Sequence, residues 1–361
     1  MPLTQVDQGL LGQYAQYTGF KNRIINGAMM IDQRNAGAAL TVNSGTDYFA
    51  VDRFTSVGTS AAGVFTVQRS TTAPTGFINS LLATVTTADS SLGTTNQYYV
   101  SQIIEGLNVA DLAWGSASAQ TITLSFWVRS SVTGTYGGSI RNSATDRSYA
   151  FTYTINSANT FEYKTVTIAG DTSGTWLTTN GVGMHVIWQF GLGSTRVTTA
   201  GSWAAGNYKG ASGVTNLMAT NGATFYITGV QLEEGSTATS FDYRPYGTEL
   251  ALCQRYLPVY TASAANELIC YAQAASTTVF RAIIPFQVTT RVKSTGITVS
   301  STSDFYVNGN VNATPSAMVW NDGTLNSGAV QITGSGMTAG FSCVLYSNTS
   351  TAKIIFTGCE L

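Results

Sequence analysis

In residues 121–130, apolar and polar side chains alternate with a period of two. Ile122, Leu124, Phe126 and Val128 fall on one side. Thr123, Ser125 and Arg129 fall on the other, together with Trp127. That alternation is the mark of a half-buried strand. It returns in residues 148–155, where Tyr149, Phe151, Tyr153 and Ile155 share a side, and strand-like text follows in 161–169, 184–190 and 223–232. The strings GTYGG, NSATDR, DTSG, TTNG and ATNG separate these runs and read as turns. Strands at this spacing, with almost no helical text between them, predict antiparallel β-sandwiches.

Two short helices interrupt the pattern. Asn108 is placed to cap 109–114, where Val109 and Leu112 share a face. Thr248 is placed to cap 248–257, bounded by Pro245 and Pro258, with Leu250, Cys253 and Leu257 at helical spacing. The second helix marks a domain boundary. Beyond it come seven further strand-like runs, enough for a smaller sandwich. At 361 residues the chain has room for two domains. The expected architecture is all-β: an anchor segment at 1–24, a sandwich at 25–247 and a smaller C-terminal sandwich at 248–361. In the anchor, Leu10, Leu11, Tyr14, Tyr17 and Phe20 are too apolar for a free tail. They either strap their own domain or dock on a partner.

Only 10% of residues are charged, against about 25% in ordinary globular chains. Uncharged polar groups cost less to bury than charges, so such a surface suits contact between subunits. The 17 basic residues form no run, which argues against nucleic-acid binding. No stretch reaches the ~18 apolar residues of a membrane span, and the first residues lack a signal-peptide pattern, so synthesis in a cytoplasm is expected. Cys253, Cys270, Cys343 and Cys359 make no CxxC pair and read as free, buried thiols.

The chemistry of catalysis is thinly represented. The single histidine, His185, lies in an apolar strand, and no GxSxG, GxxxxGK[ST] or GxGxxG motif occurs. Paired carboxylates of a glycosidase would come from Asp32, Asp47, Asp52, Asp89, Asp146, Asp171, Glu233 and Glu234, whose facing the sequence does not fix. No cofactor is expected, with one opening for calcium. Asn26, Asp52 and Glu233 are the candidate ligands; the plain alternative is that Asp52 pairs with Arg53 or a backbone amide. Trp176 and Trp203 lie in turn-rich text and are the candidates for stacking on a sugar ring, whereas Trp188 reads as core.

The strings YAQYTGFKNRIINGAMMIDQRNAGA, IEGLNVADLAWGSASAQTITLSFWVRSSVTGTYGG, GDTSGTWLTTNGVG and NGATFYITGVQLEEGSTATSFDYRPYGTELALCQRY together resemble tail-fibre-like and other structural proteins of bacteriophages and prophages. The resemblance covers roughly residues 14–257. Within it, NGAMMIDQRNAG resembles the entry into a carbohydrate-binding-module-like jelly roll, and FYITGVQLEEG resembles its closing strand. The resemblance implies a non-catalytic virion protein, commonly a homotrimer, with partners among the tail hub, an adaptor or the capsid. It weakens over the last hundred residues, so the sandwich at 248–361 is the expected tip that contacts host-surface polysaccharide. No nucleic acid and no membrane insertion are expected. A head-attached decoration protein without ligand and a fibre-borne glycosidase or esterase are the rival readings. The chain has neither heptads nor shaft repeats.

Overall fold

The structure, a computed structural model, describes residues 20–361. The anchor residues Leu10, Leu11, Tyr14 and Tyr17 lie outside that range. The chain divides into two compact units, one ending at Pro245 and the other spanning Tyr246–Glu360. Among the described residues no helix is long and apolar enough to cross a membrane.

The first unit is a jelly roll of two facing antiparallel sheets. One has six strands in the spatial order Leu40–Val42, Val64–Ser70, Ser80–Thr87, Thr224–Glu234, Ile122–Ser130 and Glu162–Ile168. The other has seven: Trp203–Ala205, Arg147–Ile155, Gly134–Arg141, Val182–Leu192, Gln97–Glu105, Phe54–Gly58 and Gly45–Val51. The chain crosses repeatedly between the two sheets, so strands adjacent in space are mostly distant in sequence. The period-two pattern decides which face is inside. Leu124, Phe126 and Val128 from one sheet meet Tyr136, Val186, Trp188 and Phe190 from the other, all fully buried. Edge-to-face pairs order this core, including Phe126 with Trp188 at 5.8 Å and Phe65 with Phe190 at 5.5 Å. Each such ring contributes about 2–3 kcal/mol by leaving water.

The two strings that resemble the entry and closure of a jelly roll meet in space. Asn22 donates from Nδ2 to the Val230 carbonyl, and its Oδ1 accepts from the Leu232 amide. The Arg23 amide donates to the Leu232 carbonyl at 3.0 Å and the Val230 amide to the Gly27 carbonyl at 3.0 Å. A Cβ on Gly27 would lie 2.1 Å from the Val230 oxygen, so only glycine fits there. Arg244 closes the arrangement by donating to the carbonyls of Ile24 and Asn22. Residues 22–39 are therefore an irregular segment and not strands, mostly buried over 22–31 and partly exposed beyond, with Asn26 left-handed at φ 61°.

The first expected helix is absent. Two single 3-10 turns, Gly106–Asn108 and Ala110–Leu112, occupy its place. Asn108 caps nothing, and Ala113 at φ 51° ends the second turn. The second helix exists as Tyr246–Gln254, so Thr248 lies inside it and not at its cap. Cys253 and Leu257 are buried.

The second unit packs a seven-stranded antiparallel sheet on a three-stranded one. The seven expected strands all form. Val259–Thr261, Phe305–Asn308 and Asn312–Ala313 are added to them. Phe280, Phe305, Val330, Leu345, Ile354 and Phe356 fill the core. All four cysteines are free and buried; burial, then the Cys343 charge, pushes the Cys270 thiol up to about 12.

One hairpin of the first unit carries a pH-dependent clamp. Glu162 accepts from the amides of Asn156 and Ser157, from Asn156 Nδ2 and from Lys164 Nζ at 2.6 Å. Burial raises its carboxyl, but these donors, Lys164 first, hold it down to about 2, below its ordinary 4.5. Its contribution is therefore present above pH 4.5 and is lost as pH falls from 4.5 toward 2. In acid titrations of stability, Glu162→Gln is expected to flatten that window. The cost at neutral pH is expected to stay within about 1 kcal/mol, because the pair is close to solvent. An unchanged acid profile would show that the clamp does not form.

Candidate functional site: an aromatic trough on the six-stranded sheet

The outward side of the strand Ile122–Ser130 places Trp127 next to Ser125, while its even-numbered neighbours go to the core. Tyr163 is the cross-strand partner of Trp127, and the two rings lie 5.4 Å apart at 48°. Tyr163 is 43% exposed. On the other flank, the strand Thr224–Glu234 breaks register between Thr228 and Gln231. Such a bulge re-aims side chains next to a site. Gly229 sits in this bulge at φ 60°, and a Cβ there would lie 2.7 Å from Phe77 and 3.0 Å from Trp127. Glycine is thus required both by the backbone angle and by the rings that close over it.

Phe77 arrives from the loop before Ser80–Thr87. It packs edge-on to Phe241 at 5.1 Å and against Tyr243 at 5.5 Å. Tyr243, 58% exposed, is tied by its hydroxyl to the Gly76 carbonyl at 2.8 Å. These groups border a trough of about 530 Å³ lined by Phe77, Trp127, Tyr163, Phe241 and the polar Ser125 and Thr239. Thr239 also lines a second groove of about 750 Å³, which contains Phe20, Arg23, Asp111 and Glu234. There Arg23 holds Asp111 through two bonds of 2.7 Å. Burial pushes the Glu234 carboxyl up, Arg23 pulls it down and Asp111 raises it again.

Chemically, the trough offers one exposed ring, Tyr163, and the partly exposed rings of Trp127, Phe77 and Phe241 beside the Thr239 hydroxyl. The C–H face of a pyranose packs on such rings, and its hydroxyls exchange hydrogen bonds with the polar wall. The signal for Trp127 was present in the sequence: it is the one large aromatic on the polar side of its strand.

The other candidates lie elsewhere. Trp176 is only 8% exposed. It meets Trp114 at 4.7 Å and Trp203 at 5.6 Å, both edge-to-face, so its ring is packed within a tryptophan cluster. Trp203 is half-buried; its Nε1 donates to the Ala169 carbonyl, and Tyr149 stands 5.3 Å away. The calcium candidates are each engaged in hydrogen bonds. Asn26 Nδ2 donates to the backbone carbonyls of Ile31 and Asp52. The Asp52 carboxylate accepts from Gln33 and Arg34. The Glu233 carboxylate accepts from Gln231 and Thr239. Among the described residues no group of three His, Cys, Asp or Glu side chains could hold a metal ion. Phe20, the described anchor residue, is 43% exposed beside Arg23. Several candidate carboxylates are taken up structurally: Asp32 accepts from the amides of Asn35 and Gly37, Asp89 from Tyr98, and Asp171 from Arg147.

No protein-family model matches the chain. No curated protein matches it either. Solved structures do. One is described as a CBM4 structure, with 16% identity and TM-score 0.29, covering 58% of this chain and 98% of that one. Another is the family 11 carbohydrate-binding module of the cellulosomal cellulase Lic26A-Cel5E of Clostridium thermocellum, with 12% identity and TM-score 0.27, covering 56% and 99%. A third is the N-terminal CBM22-1–CBM22-2 tandem domain of Xyn10C from Paenibacillus barcinonensis, with 8% identity and TM-score 0.27, covering 90% and 99%.

Proposed function

We propose that this protein is a non-catalytic glycan-binding protein that works as a structural component of a bacteriophage particle, in the manner of a short tail fibre. The observation that carries the binding half is the trough, where Trp127 and Tyr163 pair across two strands beside Phe77 and Phe241. The virion half rests on the sequence strings that resemble phage structural proteins. Two of those strings interlock as the entry and closure of the jelly roll. In this reading three copies associate, are attached through the N-terminal residues and present their troughs together, so that weak single contacts add through avidity. Self-association is supported by the low charge. It is also supported by the outer face of the second unit's large sheet, where Tyr271 is 74% and Ile283 64% exposed.

The test is saturable binding of the labelled full chain to host cells and to their extracted polysaccharide, with light scattering for mass. Binding competed by the free polysaccharide, from a species three times the chain mass, is the expected result. Absence of binding would favour head decoration without a ligand, and a monomer would remove the trimer. The enzyme reading has one foothold, the raised Glu234 carboxyl near Asp111. Release of oligosaccharide by the wild type, lost in Glu234→Gln, would replace the binding reading with that one.

A further inference from the structure

The opposite face of the jelly roll holds a second feature. The outward side of the seven-stranded sheet is roofed by residues 193–215. The Gln189 side chain makes two bonds to the Ala211 backbone, at 2.7 and 3.2 Å. Ser139 Oγ donates to the Tyr208 carbonyl, and the Tyr208 amide donates to Ser148 Oγ. The roof lies close: a Cβ on Gly210 would stand 1.7 Å from Gln189 Oε1.

Cations gather under and beside this roof. Arg141 and His185 are cross-strand partners, with Arg141 Nη2 at 3.4 Å from His185 Nδ1. Arg141 is 7% exposed, and its Nε and Nη1 atoms are buried without a hydrogen-bond partner. Lys209 extends from the roof to donate to Tyr99 Oη at 3.2 Å, with Nζ 5.0 Å above that ring. The Lys209 amide bonds to the Arg196 carbonyl at 2.7 Å, and Arg196 Nε is also buried and unpartnered. Among the described residues none of these three bases forms an ion pair. Burial first, then Arg141 and Arg196, pushes the Lys209 ammonium down to about 8. Burial, Arg141 and Lys209 likewise depress His185.

Buried like charges without a counter-charge are costly, and unpaired donors add to the cost. An oxyanion removes both terms at once, because a carboxylate, sulfate or phosphate accepts from a guanidinium through two oxygens. We propose that Arg141, Lys209 and Arg196, with the His185 ring beside them, form a binding site for a single oxyanion group, on the face opposite the aromatic trough. The ligand is either a free inorganic anion or the acidic group of a charged sugar. The site makes no use of Trp127, so it stands apart from the glycan reading.

The test uses the full chain in buffers matched in ionic strength with sodium chloride, with sodium sulfate, phosphate or glucuronate as probes. Melting and titration calorimetry are the readouts. At saturation an oxyanion is expected to raise the melting temperature by about 3 °C or more over chloride. Arg141→Gln is expected to lose the shift yet be no less stable than wild type in chloride alone, because it removes an uncompensated charge. Lys209→Met, nearer to solvent, is expected to weaken anion binding at least tenfold, and Trp127→Ala to leave it unchanged. A shift with glucuronate identifies an acidic sugar as the source, and a shift confined to sulfate or phosphate identifies a free ion. Identical melting in chloride and in all three probes would overturn the proposal. So would an undiminished shift in Arg141→Gln and Lys209→Met.

Discussion

Trp127→Ala is expected to weaken polysaccharide binding by about 30-fold or more, the ~2 kcal/mol typical of an aromatic anchor at the centre of an interface. The side chain lies on the outward face, so its removal opens no core cavity. The aromatic wall loses one of its two cross-strand rings, and Tyr163 loses the neighbour that sets its tilt. Trp127→Phe keeps a ring in place and is expected to lose far less. Comparison of the melting curves separates binding from folding, because the core partners Leu124, Phe126 and Val128 are untouched. Binding by Trp127→Ala within twofold of wild type would remove the trough as the glycan site. A loss confined to Arg141→Gln would move the site to the opposite sheet.

The largest effect on stability is expected at Asp171. Its carboxylate accepts two bonds from Arg147, at 2.7 and 2.6 Å, and a third from the Ser173 amide at 3.1 Å. It is 1% exposed. Asp171→Ala leaves the guanidinium without its partner beside the tryptophan cluster, where Arg147 stands 5.9 Å from the Trp203 ring. The expected loss is about 2 kcal/mol, below the full cost of breaking a buried pair, because the Arg147 side chain left behind is 19% exposed. Urea unfolding followed by tryptophan fluorescence reads it, since Trp114, Trp176 and Trp203 pack against one another in that cluster. Asp171→Asn keeps an acceptor and is expected to fall between. A change below about 0.5 kcal/mol in Asp171→Ala would mean that the pair is not formed in solution.

Both predictions depend on groups that the sequence placed unequally well. The period of two in residues 121–130 already put Trp127 on the polar side. What it did not supply was the company. Tyr163 comes from a neighbouring strand in register, Phe77 from a distant loop, and the room between them from a left-handed glycine in a bulge. Trp176 and Trp203 sit in turn-rich text, which reads as exposure. The fold instead gathers them with Trp114, because aromatic edges and faces attract once brought within about 5–6 Å. The helix expected at 109–114 also failed for a local reason. Its apolar pair Val109 and Leu112 is buried as expected, but two short turns suffice for that, and Ala113 reverses the backbone before a full helical turn can close.

Local chemistry by itself determined the strands, their inward faces, the burial of the cysteines and the absence of a recognisable catalytic motif. Each of these follows from side-chain alternation, turn residues or residue type, which act over a few positions. The charge pattern shows the limit of such reading. The 17 basic residues form no run along the chain, yet Arg141, Arg196 and Lys209 come together. Strand pairing fixes Arg141 beside His185, and the roof bonded to Gln189 and Ser148 carries Lys209 over the same sheet. Register and crossover connections are long-range properties of the fold, and electrostatic fields depend on distance in space. The tertiary structure alone decided where those charges meet.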